Sequence, residues 1–463
     1  MALTNGIVYS YKEGGKMVTG PILLVIFAVS IIFIILMTAK VKLNAFMVLI
    51  LAAFGVGLAA GLPVDKVLKA IKNGFGSTLG SIGIVIICGT IIGTILEKTG
   101  AALSMANFVI RRVGARNSPL AMAITGFIVG IPIFCDSGFV ILSALNKAIA
   151  ERSKTSMAIM AVALSGGLYS IHCLIPPHPG ATAAAGIIGV DLGRVIILGL
   201  PLAIPAAVVA YFWATKFARR YEVPAKPEIT YDELLKKYGK LPNPVVSFIP
   251  IIFPIILIAL KSIALLPTRP FGVSAFFSTV SLIGDPVSAL VLGVFLSLIL
   301  VRNWKEDILG GWMANGIKNA GIILAITGAG GAFGNILRIT PIGSYLGEIL
   351  SPLGLGIFLP FIIALALKTA QGSSTVAIIT SASLVAPLMG TMGLTGVWAP
   401  ALVVVSMGAG SMIASHANDS YFWVVSQFSD LDAPTAYKAY TTATILEGTA
   451  TMFCVWILSL FLI

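Results

Sequence analysis

The stretch Ser170-Ile-His-Cys-Leu-Ile-Pro-Pro-His-Pro-Gly180 closes an apolar run and cannot continue as helix. Pro176, Pro177 and Pro179 remove three backbone donors and force the residues before them into extended conformations. The run ahead of it is apolar enough to enter a bilayer, where backbone polar groups have to be paired within the segment. The expectation is therefore a membrane helix that stops at depth. A second stretch, Ser415-His-Ala-Asn-Asp-Ser-Tyr-Phe-Trp423, follows a glycine-rich apolar run in the same way, with five polar side chains in its first six positions. The two stretches hold all three histidines of the chain, His172, His178 and His416.

The whole chain supports a membrane reading. Its 463 residues are 58% hydrophobic and 10% charged, with a mean hydropathy of +1.01, against about 25% charged residues in soluble domains. Apolar runs read as twelve spans: 21–39, 43–61, 78–97, 119–150 (broken), 157–173, 194–215, 245–266, 285–301, 319–337, 354–391 (broken), 396–415 and 443–463. The first lacks a small-residue cleavage site and reads as a membrane helix, not a cleaved signal. The net charge of +12 resides in short segments between apolar runs, as in cytoplasmic loops, and not in a nucleic-acid-binding surface. The longest polar segment, 216–244, reads as a cytoplasmic linker between membrane halves 1–215 and 245–463. Cys88, Cys135, Cys173 and Cys454 lack metal or disulfide spacing and read as small buried residues.

The halves resemble each other. Shifted by 241 residues, Gly89, Gly93, Ile95, Leu96 and Thr99 fall on Gly330, Gly334, Ile336, Leu337 and Thr340. His178 falls on His416 at 238, and Cys135-Asp-Ser-Gly138 falls close to Gly372-Ser-Ser-Thr375. Transporters commonly relate such repeats by inverted topology. The expected fold is an all-α polytopic membrane protein of two inverted repeats with re-entrant hairpins and broken helices.

Each repeat carries another polar interruption. Gly130-Ile-Pro-Ile-Phe-Cys-Asp136-Ser-Gly138 puts a carboxylate and helix breakers inside a lipid-compatible run, and Lys368-Thr-Ala-Gln-Gly-Ser-Ser-Thr375 occupies the matching place. Both read as tips of re-entrant hairpins whose freed N–H groups can hold an anion, with a kink or surface loop as the alternative. For the histidines, proton carriage stands beside a plainer role of satisfying backbone groups at the helix breaks. Glu97, Lys98 and Arg338 read as interfacial charges, and Asp191, Arg194 and Asp285 as caps or loop residues. The glycines at 328, 330, 331 and 334 suit close helix packing better than a phosphate loop, since no strand precedes them. No nucleophile–base pair, nucleotide motif or metal-ligand spacing is present, so no enzyme activity, cofactor or metal is expected. Two other classes stay open: a channel, which would favour rings of like charge, and an intramembrane enzyme using His172, His178 and Asp136.

At these motifs the sequence resembles the gluconate permease family of bacterial symporters, within the wider ion transporter superfamily. The matching stretches are Pro63 to Val67, Gly126 to Leu142, Ser170 to Gly180, Gly328 to Phe333, Gly372 to Ala377 and Ser415 to Ser420 with Phe422-Trp423. The resemblance implies a proton-linked symporter of the bacterial cytoplasmic membrane for gluconate, related aldonates or, in one branch, D-serine. It also implies an elevator-like movement. Where the gluconate branch typically has Glu-Val-Gly-Phe and the D-serine branch Asp-Val-Gly-Phe, this chain has Asp136-Ser-Gly-Phe139, and Tyr421 stands where members of both branches usually have glycine. That tyrosine should shrink the site or add a hydroxyl, leaving gluconate, a shorter sugar acid such as glycerate or threonate, and a small hydroxy-amino acid open.

The expected substrate site comprises Asp136, Ser137, Gly138, His178, Gly180, Gly372, Ser373, Ser374, Thr375, His416, Asn418 and Asp419. Asp136, His172, His178 and His416 are the candidates for the coupled proton. The expected partners are a small organic anion, a proton rather than sodium, the lipid bilayer and a second copy of the chain.

Overall fold

A computed structural model of the chain describes residues 2–4, 7–12, 15–114, 117–226, 233, 240–268, 270–272, 275–302, 304, 306–342, 345, 349, 354–417 and 419–463. Three short antiparallel strands come first: β1 (Ala2–Thr4), β2 (Ile7–Lys12) and β3 (Gly15–Thr19). They were not expected from a polar lead-in, although the alternation around Val8 to Tyr11 is a strand pattern. Among the described residues, all else that is regular is helical.

The first half runs α1 (Ile22–Ile35), α2 (Ala45–Ala59), α3 (Val64–Lys98), α4 (Ala101–Val113), α5 (Ser118–Val129), α6 (Cys135–Ser153), α7 (Met157–Leu174), α8 (Pro179–Ile188) and α9 (Leu192–Lys216). The second runs α10 (Pro244–Ala264), α11 (Ala275–Ile283), α12 (Pro286–Leu298), α13 (Glu306–Ile339), α14 (Phe358–Gln371), α15 (Ser374–Val385), α16 (Ala399–Met412), α17 (Ser420–Phe428) and α18 (Thr442–Leu462), the last continuing a helical stretch that begins at Ala433. The breaks fall where the sequence put them: between α5 and α6, α7 and α8, α14 and α15, and α16 and α17.

Among the described residues, six helical segments are long and apolar enough to cross a membrane, and α11 with α12 makes a seventh, bent by 66°. Several of the twelve expected spans are thus short limbs of interrupted segments. Two start earlier than expected: α3 at Val64 instead of 78 and α13 at Glu306 instead of 319. Their N-terminal parts carry Asp65, Lys66, Lys69 and Lys72, or Glu306 and Asp307, which hydropathy rejects but helices accept: acidic residues suit the first turn, and straight-chain residues such as lysine lose little rotamer freedom. The amphipathic α4, ending in Arg111 and Arg112, was missed for the same reason. The middle of the expected linker, 227–232 and 234–239, lies outside the described residues. Before it, Val223 accepts from Met157 N at 2.9 Å, tying the chain after α9 to the start of α7.

The repeats are legible in the packing. Within the first half α5, α6 and α9 pack on α7; within the second, α14, α15 and α18 pack on α16. Between halves, α8 lies against α15 and α17 against α6, the reciprocal arrangement that a two-fold relation requires. The equivalent long helices α3 and α13 pack on each other, with Gly74 beside Gly331, Gly83 beside Leu324 and Ile91 beside Gly316. One number rises as the other falls, so equivalent helices run antiparallel and the halves are inverted. The glycines do the work expected of them: Gly328 abuts Phe75, Gly331 abuts Thr78, and Gly330 and Gly334 abut Ser383 of α15. Asp191 and Asp285 cap α9 and α12, as read, through Arg194 N at 3.1 Å and Val287 N at 3.0 Å.

Candidate functional site

The two hairpin tips and both broken helices converge on one cavity of about 240 Å³. Its walls are Phe134, Cys135 and Asp136 opening α6, His172 of α7, Pro179 of α8, Ser373, Ser374, Thr375, Val376 and Ile379 opening α15, and Asp419, Ser420 and Tyr421 opening α17. Ile322, Ile323 and Ile326 of α13 close it.

Each polar wall is set by a helix start. The α6 turn places Asp136 where a carboxylate favours the positive end of the helix dipole. Ser373 caps α15 by accepting from Val376 N at 3.3 Å, leaving Ser374 and Thr375 on its first turn. Asp419 caps α17, accepting from Tyr421 N at 3.1 Å. Ser420 Oγ donates to Asp136 Oδ1 at 3.3 Å, joining the first hairpin to the second broken helix.

Of the expected site residues, Asp136, His172, Ser373, Ser374, Thr375 and Asp419 line the cavity. Ser137 and Gly138 sit on the same turn as Asp136 but not on its wall, and Gly138 is pressed against Leu168. Gly180 lets α8 approach Thr375 and Ile378 of α15. Gly372 ends α14 in the left-handed conformation with φ +87°, which its missing side chain permits. Asn418 lies outside the described residues.

The histidines divide. His172 faces the cavity with its ring 4.8 Å from that of His178. His178 and His416 instead make equivalent latches. His178 Nε2 donates to the carbonyl of Gly130 at 2.5 Å, and His416 Nε2 to that of Thr369 at 3.2 Å. A carbonyl only accepts, so both protons sit on Nε2. The offsets, 238 between the histidines and 239 between the carbonyls, agree with the repeat. In each half the broken helix is thereby tied to the hairpin's first limb just before its tip.

Sequence reasoning missed Lys368. It is fully buried in the last turn of α14, donating to the Gly372 carbonyl at 2.6 Å and forming an ion pair with Asp419. Asp419 also accepts from Ser415 Oγ, which in turn accepts from Tyr440 OH at 3.0 Å. A lysine inside an apolar run is itself a signal of function in a membrane protein. Glu447, buried in α18 with Oε2 lacking a partner among the described residues, carried the same overlooked signal. No group of metal-ligating side chains occurs among the described residues.

The sequence pattern of the GntP family permeases matches residues 22–461. The chain belongs to this family. It is 34% identical to the inner membrane permease YgbN of Escherichia coli, over 94% of this chain and 98% of that one. It is 32% identical to a gluconate permease of Pseudomonas aeruginosa, over 94% and 97% of the two chains. It is also 32% identical to the D-serine transporter DsdX of Escherichia coli, over 93% and 97%. The fold resembles the YdaH transporter of Alcanivorax borkumensis, with a TM-score of 0.62 at 14% identity over 86% of this chain and 90% of that one. The GntP permease described here is thus a multi-pass protein of the bacterial cytoplasmic membrane.

Proposed function

We propose that this permease takes up gluconate or a related small sugar-acid anion together with a proton, binding both in the cavity between the two hairpin tips. One observation carries the reading: the two tips are equivalent in the repeat but opposite in chemistry. The first brings its own carboxylate, Asp136, to the start of α6; the second presents only the hydroxyls of Ser373, Ser374 and Thr375 at the start of α15. A substrate carboxylate fits the second tip, where helix N–H groups and hydroxyls donate. Substrate hydroxyls then reach toward Asp136, Ser420 and His172. Asp136 takes the coupled proton, since an anion beside it is tolerated once its own charge is gone.

Tyr421 bears on substrate size. Its hydroxyl donates to the Ser165 carbonyl at 3.3 Å, so the ring fills space without offering a hydroxyl to the cargo. A cavity of about 240 Å³ lies below the usual range for small-molecule pockets, roughly 300 to 1,000 Å³. Both features favour compact acids such as glycerate and threonate alongside gluconate.

The test is uptake by proteoliposomes with and without an imposed inward proton gradient, with gluconate, glycerate, threonate and D-serine as competitors. Gradient-driven accumulation of a labelled sugar acid, blocked by its shorter relatives, is the expected result. Uptake indifferent to the gradient, or competed by D-serine alone, would reject it.

A further inference from the structure

Two carboxylates face the cavity, and their surroundings differ. Asp419 has its ion pair with Lys368, the Ser415 hydroxyl and the Tyr421 N–H. Asp136 accepts from Ser420 at 3.3 Å and lies 3.6 Å from the Cys135 thiol, with no Lys or Arg of the described residues in ion-pair range. Lys368 is fully buried, and its ammonium is satisfied on three sides: the Gly372 carbonyl, the Asp419 carboxylate and the face of the Tyr169 ring, 5.9 Å to the centroid. Besides Asp419 and Tyr169, the titratable groups facing this cluster are Cys135 and Asp136 of α6, His172 and Cys173 of α7 and, through Ser415, Tyr440.

The first repeat has no such pair. The 239-residue offset puts Val129 opposite Lys368, and the 238-residue offset puts Ala181 opposite Asp419. The pair therefore breaks the symmetry of the repeats at the cavity wall.

Resting on the symport reading above, we propose that Lys368 is the resident counter-cation of the cargo cavity, cancelling Asp419 so that Asp136 alone answers to the charge of the substrate. The count of charges then fixes the coupling. Lys368 and Asp419 sum to zero, Asp136 contributes one negative charge and a monocarboxylate another. One proton on Asp136 relieves the conflict, so one proton accompanies each anion. Removing the lysine would leave two uncompensated carboxylates and call for a second proton. Lys368 is a positioning residue here, because it sets the charge of the site through Asp419 without touching the substrate.

The experiment is equilibrium binding of labelled gluconate or glycerate to the purified permease across pH, reading the slope of log Kd against pH. The wild type should lose affinity tenfold per pH unit above the transition, the slope of one proton. Lys368→Met should bind at least tenfold more weakly at neutral pH and steepen toward two protons. Adding Asp419→Asn to Lys368→Met should restore the one-proton slope and recover at least tenfold of the affinity, a rescue that a packing role for the lysine would not give. Should the single variant fail to fold, the double variant, which buries no unpaired charge, decides alone: a one-proton slope supports the assignment and a lost slope overturns it. An unchanged slope in folded Lys368→Met would also overturn it. Failure of the wild type to bind any sugar acid would instead sink the symport reading.

Discussion

Asp136 and Thr375 hold matching places at the starts of the two hairpins' second limbs, one acidic and one neutral, and the proposed coupling rests on that difference. Two negative charges about 4 Å apart at an effective dielectric of about 20 repel by about 4 kcal/mol, roughly a thousandfold in affinity. Asp136→Asn removes that conflict permanently. Substrate exchange across the membrane should persist while proton-driven accumulation is lost, and an accumulation ratio that still follows the imposed gradient would take the proton role from Asp136. Tyr421 supplies a second test at this scale. Buried beside Tyr169, Phe139 and Tyr440, it occupies volume that a glycine would leave open to the cavity. Tyr421→Gly should shift the gluconate-to-glycerate ratio of apparent affinities toward gluconate by about tenfold, the scale of one to three kcal/mol for filling an apolar gap. Competition curves for the two acids would measure it.

At the scale of elements, the helix starts and breaks were legible because proline, glycine and capping residues act locally. Pro176 and Pro177 end α7, Ser373 opens α15 and Asp419 opens α17, each by an effect confined to one turn. The cavity residues contributed by those starts, Asp136, Ser373 to Thr375 and Asp419, were therefore foreseen. What the sequence did not disclose depends on partners far along the chain. Nothing local says that Lys368 reaches Asp419, or that His178 and His416 spend their Nε2 protons on hairpin carbonyls instead of lining the cavity. These latches differ in burial: His178 is 2% exposed, whereas His416 is only half-buried. Removing the first leaves the Gly130 carbonyl unpaired away from water, at about 1 to 3 kcal/mol; removing the second lets water replace the ring, at about 0.5 to 1.5 kcal/mol. His178→Ala should accordingly lower the thermal midpoint of the detergent-solubilised permease more than His416→Ala does. Equal losses would mean that the latches carry equal loads in spite of their burial.

Over the whole molecule the two-fold relation is incomplete, and the departure has a direction. On α3, Gly89 faces Pro177 and Gly93 faces Pro132, both in the breaks of their own half. By the repeat offsets, Gly330 and Gly334 of α13 would face Ser415 and Gln371. They face Ile379 and Ser383 instead, well down α15 from its tip. About 13 Å of helix separates Ser374 from Ser383 at 1.5 Å per residue. The hairpins and broken helices thus sit displaced along the α3–α13 pair, and exchanging the roles of the halves defines a second position. There Gly334 would meet Gln371, while Gly93 would meet Ala144, the counterpart of Ser383. Paired cysteines can test this in a background lacking Cys88, Cys135, Cys173 and Cys454. Gly334→Cys with Ser383→Cys is the reference for the present position, since a Cβ at 334 lies 3.5 Å from that of Ser383, within disulfide range. Gly334→Cys with Gln371→Cys can close only after the slide. Oxidation in membranes should cross-link both pairs, each stopping transport until reduced. A Gly334–Gln371 pair that transports at full rate yet never cross-links would show that the cargo crosses without the sliding that the broken symmetry implies.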